Sequence, residues 1–408
     1  MSATQRAGEP VPGSVPALDG VRGLAALLVV LTHVGYQTGE TAHGVHGALL
    51  ARADFGVALF FVLSGLLLYR PWVVADATAQ QGPSWRRYYR RRAVRILPAY
   101  WLALLAVIVL AGAGGSRADV LANATLTQVY GSGHLLPDFT QTWSLCTEVV
   151  FYLALPWLAA LVTRLRGPGA RLALLGAVVA VNLVWTALAA AGHLPDLAGT
   201  WLPGHAAWFA AGMLLAVLSD DARRRPRGRV AQWAADFADR PGTVLLLAAA
   251  LAALAVTPLA GPRTLSPSTA AESVVKEVAY GLVALLVVGA ALVAAPATPM
   301  ARLLACRPAR WCGRVGYGVF LWHLLVLDGV MGLLGVPLFG GDVLPVAALT
   351  VAGSLAVAAL SWTLLERPLL DRLSRPVSSH RDPPQRQRAE RDGEQGERPR
   401  GAAAGEHV

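Results

Sequence analysis

Long apolar stretches recur along the whole chain, and they constrain its fold more than any other feature. A bilayer core about 30 Å thick is crossed by a helix of roughly 20 apolar residues. The chain has about ten stretches of this kind, so we predict an all-α polytopic membrane protein with about ten transmembrane helices. The predicted spans are 18–37, 54–75, 96–113, 143–163, 171–191, 204–218, 243–260, 277–296, 315–336 and 344–365.

Basic residues are distributed unevenly between these spans. With the N-terminus inside, all but four of the 35 basic residues lie on the cytoplasmic side. The four on the other side are Arg52, Arg117, Arg263 and Lys276. The positive-inside rule then predicts that both termini are cytoplasmic and that the protein lies in a bacterial inner membrane. The net charge of +10 is spread over short loops beside apolar helices. We therefore expect these loops to contact anionic lipid headgroups, and we expect no nucleic-acid partner.

Three segments follow from this pattern. Residues 1–17 lack the strongly cationic start of a cleavable signal peptide, and we predict a cytoplasmic N-terminal segment before a retained helix. Residues 18–370 form the predicted membrane domain. Residues 376–408 are polar and charged, and we predict a disordered cytoplasmic tail. The three cysteines form no CxxC pair, and we predict no disulfide and no metal site.

Ionisable residues inside the predicted spans are the candidate functional groups, because burying them in a bilayer is costly. Arg22 and His33 lie eleven residues apart in the first span. That spacing is about 16 Å along a helix, so an interfacial Arg22 would place His33 near the membrane midplane. A neutral imidazole there can accept the proton of a hydroxyl group. The alternative is a histidine that only forms an interhelical hydrogen bond.

Three further residues have the same two kinds of interpretation. Ser64 lies about 13 Å below Phe55 by helix rise, at a depth similar to that of His33. It is a candidate nucleophile, or one half of a Ser-Gly pair that allows close helix packing. Glu148, about 8 Å below the outer surface, could orient an imidazole, bind acceptor hydroxyls or form an interhelical bond. His323, about 10 Å from the opposite surface, could assist His33 or only pack.

Arg92 and Arg95 are three residues apart at the start of the third span. On a helix they share a face and could clamp the phosphates of a large anionic cofactor. The alternative is a positive-inside anchor with interfacial aromatic residues around it.

In their order along the chain, these segments resemble the acyltransferase 3 family of integral membrane acyltransferases. The matching features cover roughly residues 15–370. They are Arg22-x10-His33 behind Leu-Asp-Gly, Phe-Phe-Val-Leu-Ser-Gly ending at Gly65, Arg92-x-x-Arg95 before Ile-Leu-Pro, Trp143-Ser-Leu-x-x-Glu148 with Phe151-Tyr152, and Phe-Leu-Trp-His323. Each motif is weak alone, whereas the ordered set is specific.

The resemblance implies O-acylation of a carbohydrate or a carbohydrate-bearing molecule. It implies acyl-CoA, with acetyl-CoA expected, as a donor substrate and no tightly bound cofactor. It makes His33 the catalytic histidine and Arg22 its motif partner, and it places Arg92 and Arg95 at the donor site. Two positions depart from the family pattern: Val149 stands where a second acidic residue is frequent, and Phe320 where a tyrosine is frequent.

The remaining assignments complete the predicted site. We assign Glu148 to catalysis, Ser64 to the donor site, and Asp19, Trp143, Tyr317 and His323 to binding of the acceptor substrate.

The competing function is a proton-coupled transporter or exporter of a polar or glycosylated substrate, because intramembrane His, Glu and Arg also build proton relays. The motif-bearing helices do not recur in the second half, as an inverted repeat would require. A purely structural scaffold gives no reason for the buried ionisable groups.

Overall fold

The structure, a computed structural model, describes residues 15–112, 115–130, 135–165, 167–264 and 266–374. These residues form fifteen α-helices and no strand. The helices are α1 Pro16–Gln37, α2 Gly44–Arg52, α3 Gly56–Ala77, α4 Trp85–Leu110, α5 Arg117–Ala124, α6 Trp143–Arg164, α7 Pro168–Ala190, α8 Leu202–Arg224, α9 Arg229–Asp239, α10 Pro241–Val256, α11 Ala270–Val293, α12 Pro299–Ala305, α13 Arg307–Leu334, α14 Val343–Ser361 and α15 Arg367–Ser374. A π-helical segment, Trp362–Glu366, joins α14 to α15.

The predicted all-α membrane fold is confirmed. In the described part of the chain, nine helical segments are long and apolar enough to cross a bilayer. A tenth span is formed if α9 and α10 are taken together, although the two helices meet at an angle of 81°. The predicted span at 243–260 corresponds to α10, which has only 16 residues. That length is below the roughly 20 residues that a perpendicular crossing needs.

Several helices begin earlier than the hydropathy pattern predicts. The third predicted span starts at residue 96, whereas α4 starts at Trp85 and carries the basic run in its first turns. Likewise α11 starts at Ala270, seven residues before the predicted span. Hydropathy detects the apolar part of a helix, whereas backbone hydrogen bonding continues through charged residues beyond it. The basic and acidic residues near these starts therefore lie on helices.

Helix α1 packs along α13 with unusually close backbones. A Cβ atom added at Gly313 would lie 1.9 Å from the carbonyl oxygen of Asp19, and one at Gly23 would lie 3.0 Å from the backbone nitrogen of Gly313. Small residues permit this approach between membrane helices, where packing and not the hydrophobic effect drives association. The contact fixes the register of α1 against α13, and with it the relative positions of the histidines that the two helices carry.

Helix α3 packs against α8 in the same way. A Cβ atom at Gly65 would lie 2.1 Å from the carbonyl oxygen of Phe209, and one at Gly212 would lie 2.0 Å from that of Val62. The close-packing interpretation of the Ser64-Gly65 pair therefore holds for its glycine.

The orientation of the bundle in a membrane stays a prediction, as do the three segment boundaries. Residues 1–14 and 375–408 lie outside the described residues, so most of the predicted N-terminal segment and the whole predicted tail do too.

Because successive spans run in opposite directions, the bundle has two ends. We call the end holding the starts of α1 and α4 the arginine end, and the end holding the starts of α3, α6 and α11 the opposite end.

Candidate active site

A cavity of about 470 Å³ opens among α1, α3, α4, α6, α13 and α15. We call it the arginine-lined cavity, and its polar lining consists of Arg22, Arg91, Arg92, Arg95, Ser64, Ser144, Glu148, Tyr152 and Tyr317. Six of the predicted site residues therefore line one cavity: Arg22, Ser64, Arg92, Arg95, Glu148 and Tyr317. Four guanidinium groups face one carboxylate here, so the cavity favours an anionic ligand.

The two motif arginines of α4 share a face of the helix, as predicted, but their environments differ. Arg95 forms an ion pair with Glu366 (Nη1 to Oε2 2.9 Å), and its guanidinium lies over the rings of Tyr317 and Trp362. Arg92 forms no ion pair within the described residues and lies 5.9 Å from the centroid of the Tyr152 ring. The charge of Arg95 is thus largely neutralised by the protein, whereas that of Arg92 is available to a ligand.

Arg22 also has an acidic partner. Its Nη1 lies 3.1 Å from Oδ1 of Asp19, one helical turn earlier, and both side chains are partly exposed. Asp19 and Tyr317 were predicted to contact the acceptor. Because Asp19 pairs with Arg22 and Tyr317 lines the arginine-lined cavity, both lie towards the arginine end. The Tyr317 hydroxyl already donates a hydrogen bond to the carbonyl oxygen of Ile96 (2.9 Å).

Glu148 is held by groups that line the same cavity. The hydroxyl of Ser64 donates a hydrogen bond to its Oε1 atom, which joins α3 to α6. The hydroxyl of Tyr152 and the charges of Arg92 and Arg22 also interact with this carboxylate. This is an interhelical bond of the kind that the alternative interpretation describes, and the catalytic role of Glu148 stays a prediction. Its partner is a serine and not an imidazole.

The predicted similarity in depth between Ser64 and His33 is wrong. Gly56, at the start of α3, lies against Ala25 and Val29 of α1, so α3 begins well below the end of α1. Ser64 lies eight residues further along, about 12 Å closer to the arginine end. It is therefore level with Arg22. The estimate failed because α2 and a short turn precede α3 and occupy the depth that was attributed to its first residues.

His33 instead lies beside His323. The ring centroids are 5.0 Å apart, with an interplanar angle of 39°. The His323 Nδ1 atom donates to the carbonyl oxygen of Phe320 (2.8 Å), so its Nε2 atom carries the lone pair. That Nε2 atom is buried and has no hydrogen-bond partner among the described residues. His33 likewise forms no hydrogen bond in the described part of the chain, and its contact with α13 is the ring contact with His323.

Two phenylalanines separate the histidine pair from the arginine-lined cavity. Phe60 and Phe320 both line the cavity and contact each other edge to face, with centroids 6.4 Å apart. Phe320 also contacts His323 at 6.4 Å. The cavity therefore ends one ring away from the histidines. We call Phe60 and Phe320 the phenylalanine pair.

A second cavity of about 380 Å³ lies at the opposite end of the bundle. We call it the carboxylate-lined cavity, and its side chains include Asp54, Trp143, Asp196, His205, Trp208, Lys276, Glu277 and Tyr280. Trp143, a predicted acceptor contact, lines this cavity and not the first one. Val57 lines both cavities, and Phe61 of the first contacts His205 of the second (5.7 Å between centroids). One layer of side chains therefore divides them.

The sequence analysis missed most of this second cavity. Lys276 and Glu277 fell at or before the predicted start of their span, and His205 fell at the start of another. The signal was present, because Lys276 is the chain's one lysine and stands beside an acidic residue immediately before an apolar run.

A comparison with protein families identifies the chain. The model of an acyltransferase domain, that of the acyltransferase 3 family, matches residues 15–366. The chain belongs to this family. It is therefore a membrane acyltransferase of the class that transfers groups other than aminoacyl groups, and the transporter alternative is set aside.

Curated relatives of this acyltransferase share its membrane domain. It is 29% identical over 383 residues to the "Putative membrane-bound transacylase BcsY" of Komagataeibacter xylinus, covering 87% of this chain and 82% of the relative. It is 24% identical over 379 residues to the "Peptidoglycan O-acetyltransferase OatA" of Listeria monocytogenes, covering 87% of this chain and 56% of that protein. The chain thus spans little more than half the length of the second relative. No solved structure is a significant match.

Proposed function

We propose that this acyltransferase moves an acyl group, acetyl being the expected one, from acyl-CoA to a hydroxyl of a carbohydrate or glycosylated metabolite. His33 is the general base. The similarity to a membrane-bound transacylase supports acyl transfer, and the similarity to a peptidoglycan O-acetyltransferase supports a hydroxyl acceptor on a glycan. The observation that carries the proposal is the position of His33: it forms no hydrogen bond with a described residue, and it lies against His323, whose ring contacts Phe320 in the wall of the arginine-lined cavity.

The arginine-lined cavity is the proposed donor site. The phosphates of CoA are recognised by charge-assisted hydrogen bonds from guanidinium groups, and Arg91 and Arg92 line this cavity without an ion pair to a described residue. The positive-inside rule predicts that this end faces the cytoplasm, the compartment that contains acyl-CoA. From this side, the pantetheine arm carries the thioester along the cavity towards the phenylalanine pair. A bacterial inner membrane is the location that this arrangement requires.

The chemistry needs one proton acceptor and one proton donor. His33 takes the proton of the acceptor hydroxyl while the hydroxyl oxygen attacks the carbonyl carbon of the thioester. The carbon–sulfur bond then breaks, and the CoA thiolate receives the proton from the His33 imidazolium. The products are the O-acyl ester and CoA. His323 contacts the reacting imidazole, and its own Nδ1 bond to Phe320 holds its ring in one orientation.

The test uses the purified chain in lipid nanodiscs with acetyl-CoA labelled in the acetyl group. Release of the label from CoA, in the presence of glycan acceptors, should require His33. We expect His33→Ala to lower turnover by about 10²- to 10⁴-fold, the usual contribution of a general base. His43→Ala is the matched control, because His43 is exposed and lines neither cavity.

Two results would count against the proposal. Retained turnover in His33→Ala would show that His33 is not the general base. A wild-type protein that leaves labelled acetyl-CoA intact, yet carries a glycoside across sealed vesicles, would contradict acyl transfer. Thermal melting of each variant establishes that it is folded.

A further inference from the structure

The carboxylate-lined cavity is built from two side-chain pairs that satisfy each other. Lys276 donates to Asp54 (Nζ to Oδ2 2.7 Å), and the Tyr280 hydroxyl donates to the same carboxylate. The other pair joins Nδ1 of His205 to Oε2 of Glu277 (3.2 Å). Five charged or titratable groups are thus ordered inside the bundle before any ligand arrives. Such fixed polar groups on an apolar wall are typical of a small-molecule site.

Glu277 retains one unused acceptor. Its residue is 6% exposed, and its Oε1 atom is buried without a hydrogen-bond partner among the described residues. A buried carboxylate oxygen without a partner costs free energy, and a donor on a ligand would remove that cost. Hydroxyl groups are donors of the right kind. The backbone carbonyl of Glu277 is engaged by the indole of Trp208 (2.9 Å), which fixes the residue in place.

Aromatic rings form the rest of the wall around His205. Its ring lies 4.6 Å from that of Trp208 and 5.5 Å from that of Trp143, centroid to centroid. Tyr280 completes the group, with its ring 6.4 Å from that of Trp208. The apolar face of a sugar ring packs on such surfaces, while its hydroxyls reach the polar groups between them.

The charges of the cavity exclude an anionic ligand. Three carboxylates, those of Asp54, Asp196 and Glu277, line it, against one lysine that is already paired. A phosphate or a second CoA molecule would meet repulsion here, whereas a neutral polyhydroxylated ring would not.

We propose that the carboxylate-lined cavity binds a neutral sugar ring of the acceptor. The ring packs on Trp143 and Trp208, and one of its hydroxyls donates to Oε1 of Glu277. This inference rests on the proposed function for the claim that the bound sugar is the group acylated, but the binding site itself does not depend on it. Because Val57 lines both cavities, a sugar held here is one side chain away from the donor cavity.

The experiment measures saccharide binding without any donor present. The full chain in nanodiscs is titrated with cellobiose and with diacetylchitobiose, and tryptophan fluorescence reports binding, since Trp143 and Trp208 line the site. We expect Glu277→Gln and Trp143→Ala each to weaken binding by about tenfold or more, equivalent to one lost hydrogen bond or packing contact. Glucose 6-phosphate should bind more weakly than glucose.

A matched control comes from a similar pair outside the cavity. Glu40 contacts Nε2 of His46 at 2.5 Å near the same end of the bundle, and neither residue lines either cavity. Glu40→Gln should bind the saccharides as the wild type does. Variants are compared only if their melting temperatures match that of the wild type. If Trp143→Ala does not fold, Trp143→Phe replaces it, with a smaller expected loss.

The outcomes separate this inference from the proposed function. Unchanged saccharide affinity in both cavity variants, or tighter binding of the phosphorylated sugar, overturns the sugar site even if the wild type transfers acetyl groups. Saccharide binding that depends on Glu277, in a protein that never consumes acetyl-CoA, supports the site and overturns the proposed reaction.

Discussion

The two cavities are of comparable size and share Val57, yet their charges are opposite. Four arginines and one glutamate line the first, whereas three carboxylates, one lysine and one histidine line the second. A path for a single substrate would have no reason to be lined by positive charge at one end and by negative charge at the other. The difference fits the proposal of two substrates of different charge, one bound at each end of the bundle. The phenylalanine pair lines the first cavity, and the histidine pair lies one ring beyond it.

The largest expected effect concerns Arg95, the cavity arginine whose ion-pair partner is a buried carboxylate. Arg95→Ala leaves Glu366, which is 2% exposed, as a buried carboxylate without its partner. We expect a loss of about 3 kcal/mol in stability, because breaking a buried ion pair costs more than the pair contributes. Thermal melting in nanodiscs measures it.

The double variant sharpens the comparison between Arg95 and the ligand-facing arginines. Arg95→Ala with Glu366→Gln removes the stranded charge and should recover most of the melting temperature. If Arg95→Ala melts like the wild type and loses only acyl-CoA affinity, Arg95 belongs with Arg92 as a ligand contact and the distinction between them fails.

An intermediate effect is expected from Arg92→Ala. Removing a charge-assisted hydrogen bond of about 1.5–3 kcal/mol should raise the KM for acyl-CoA by about 10- to 100-fold. The KM for the acceptor should stay constant, because Arg92 does not line the second cavity. Arg87→Ala, on the exposed side of the same helix, is the control for lost positive charge. An equal rise in both KM values would break the assignment of one substrate to each cavity.

The smallest expected effect is that of Ser64→Ala. The substitution removes the hydrogen bond to Glu148 but leaves the carboxylate with Tyr152 and the nearby arginines, so kcat/KM should fall by no more than about tenfold. A nucleophilic serine would instead lose all transfer, and intact-mass measurement of the wild type would reveal an acyl group on Ser64. Ser144→Ala, in the same cavity, serves as the comparison.

Local spacing was predictable from the sequence, and contacts between distant segments were not. The three-residue interval of Arg92 and Arg95 fixes a shared helix face wherever the helix lies. By contrast, Glu366 is 271 residues from Arg95, and nothing in either segment indicates the other. The His33 and His323 pair combines both cases. Each was a costly buried group on its own helix, whereas their contact depends on the close register of α1 against α13.

Depth estimates failed where a helix did not start at the membrane surface. Helix rise gives a distance along one helix, but the comparison of Ser64 with His33 also needed the level at which α3 begins. That level is set by the packing of Gly56 on α1 and by the insertion of α2, neither of which has a hydropathy signal. The second cavity was missed for a related reason, because its charged residues stand where apolar runs begin.

The layer of apolar side chains between the cavities has a consequence for the energy supply of the cell. An open passage through the bundle would short-circuit the proton gradient, since each charge crossing the membrane dissipates about 2.3 kcal/mol per 100 mV. Val57 and Phe61 stand in the way of such a passage, because they lie between the two cavities. An acetyl group carries no charge, so its passage costs no electrical work. The barrier that insulates the membrane therefore need not hinder the chemistry.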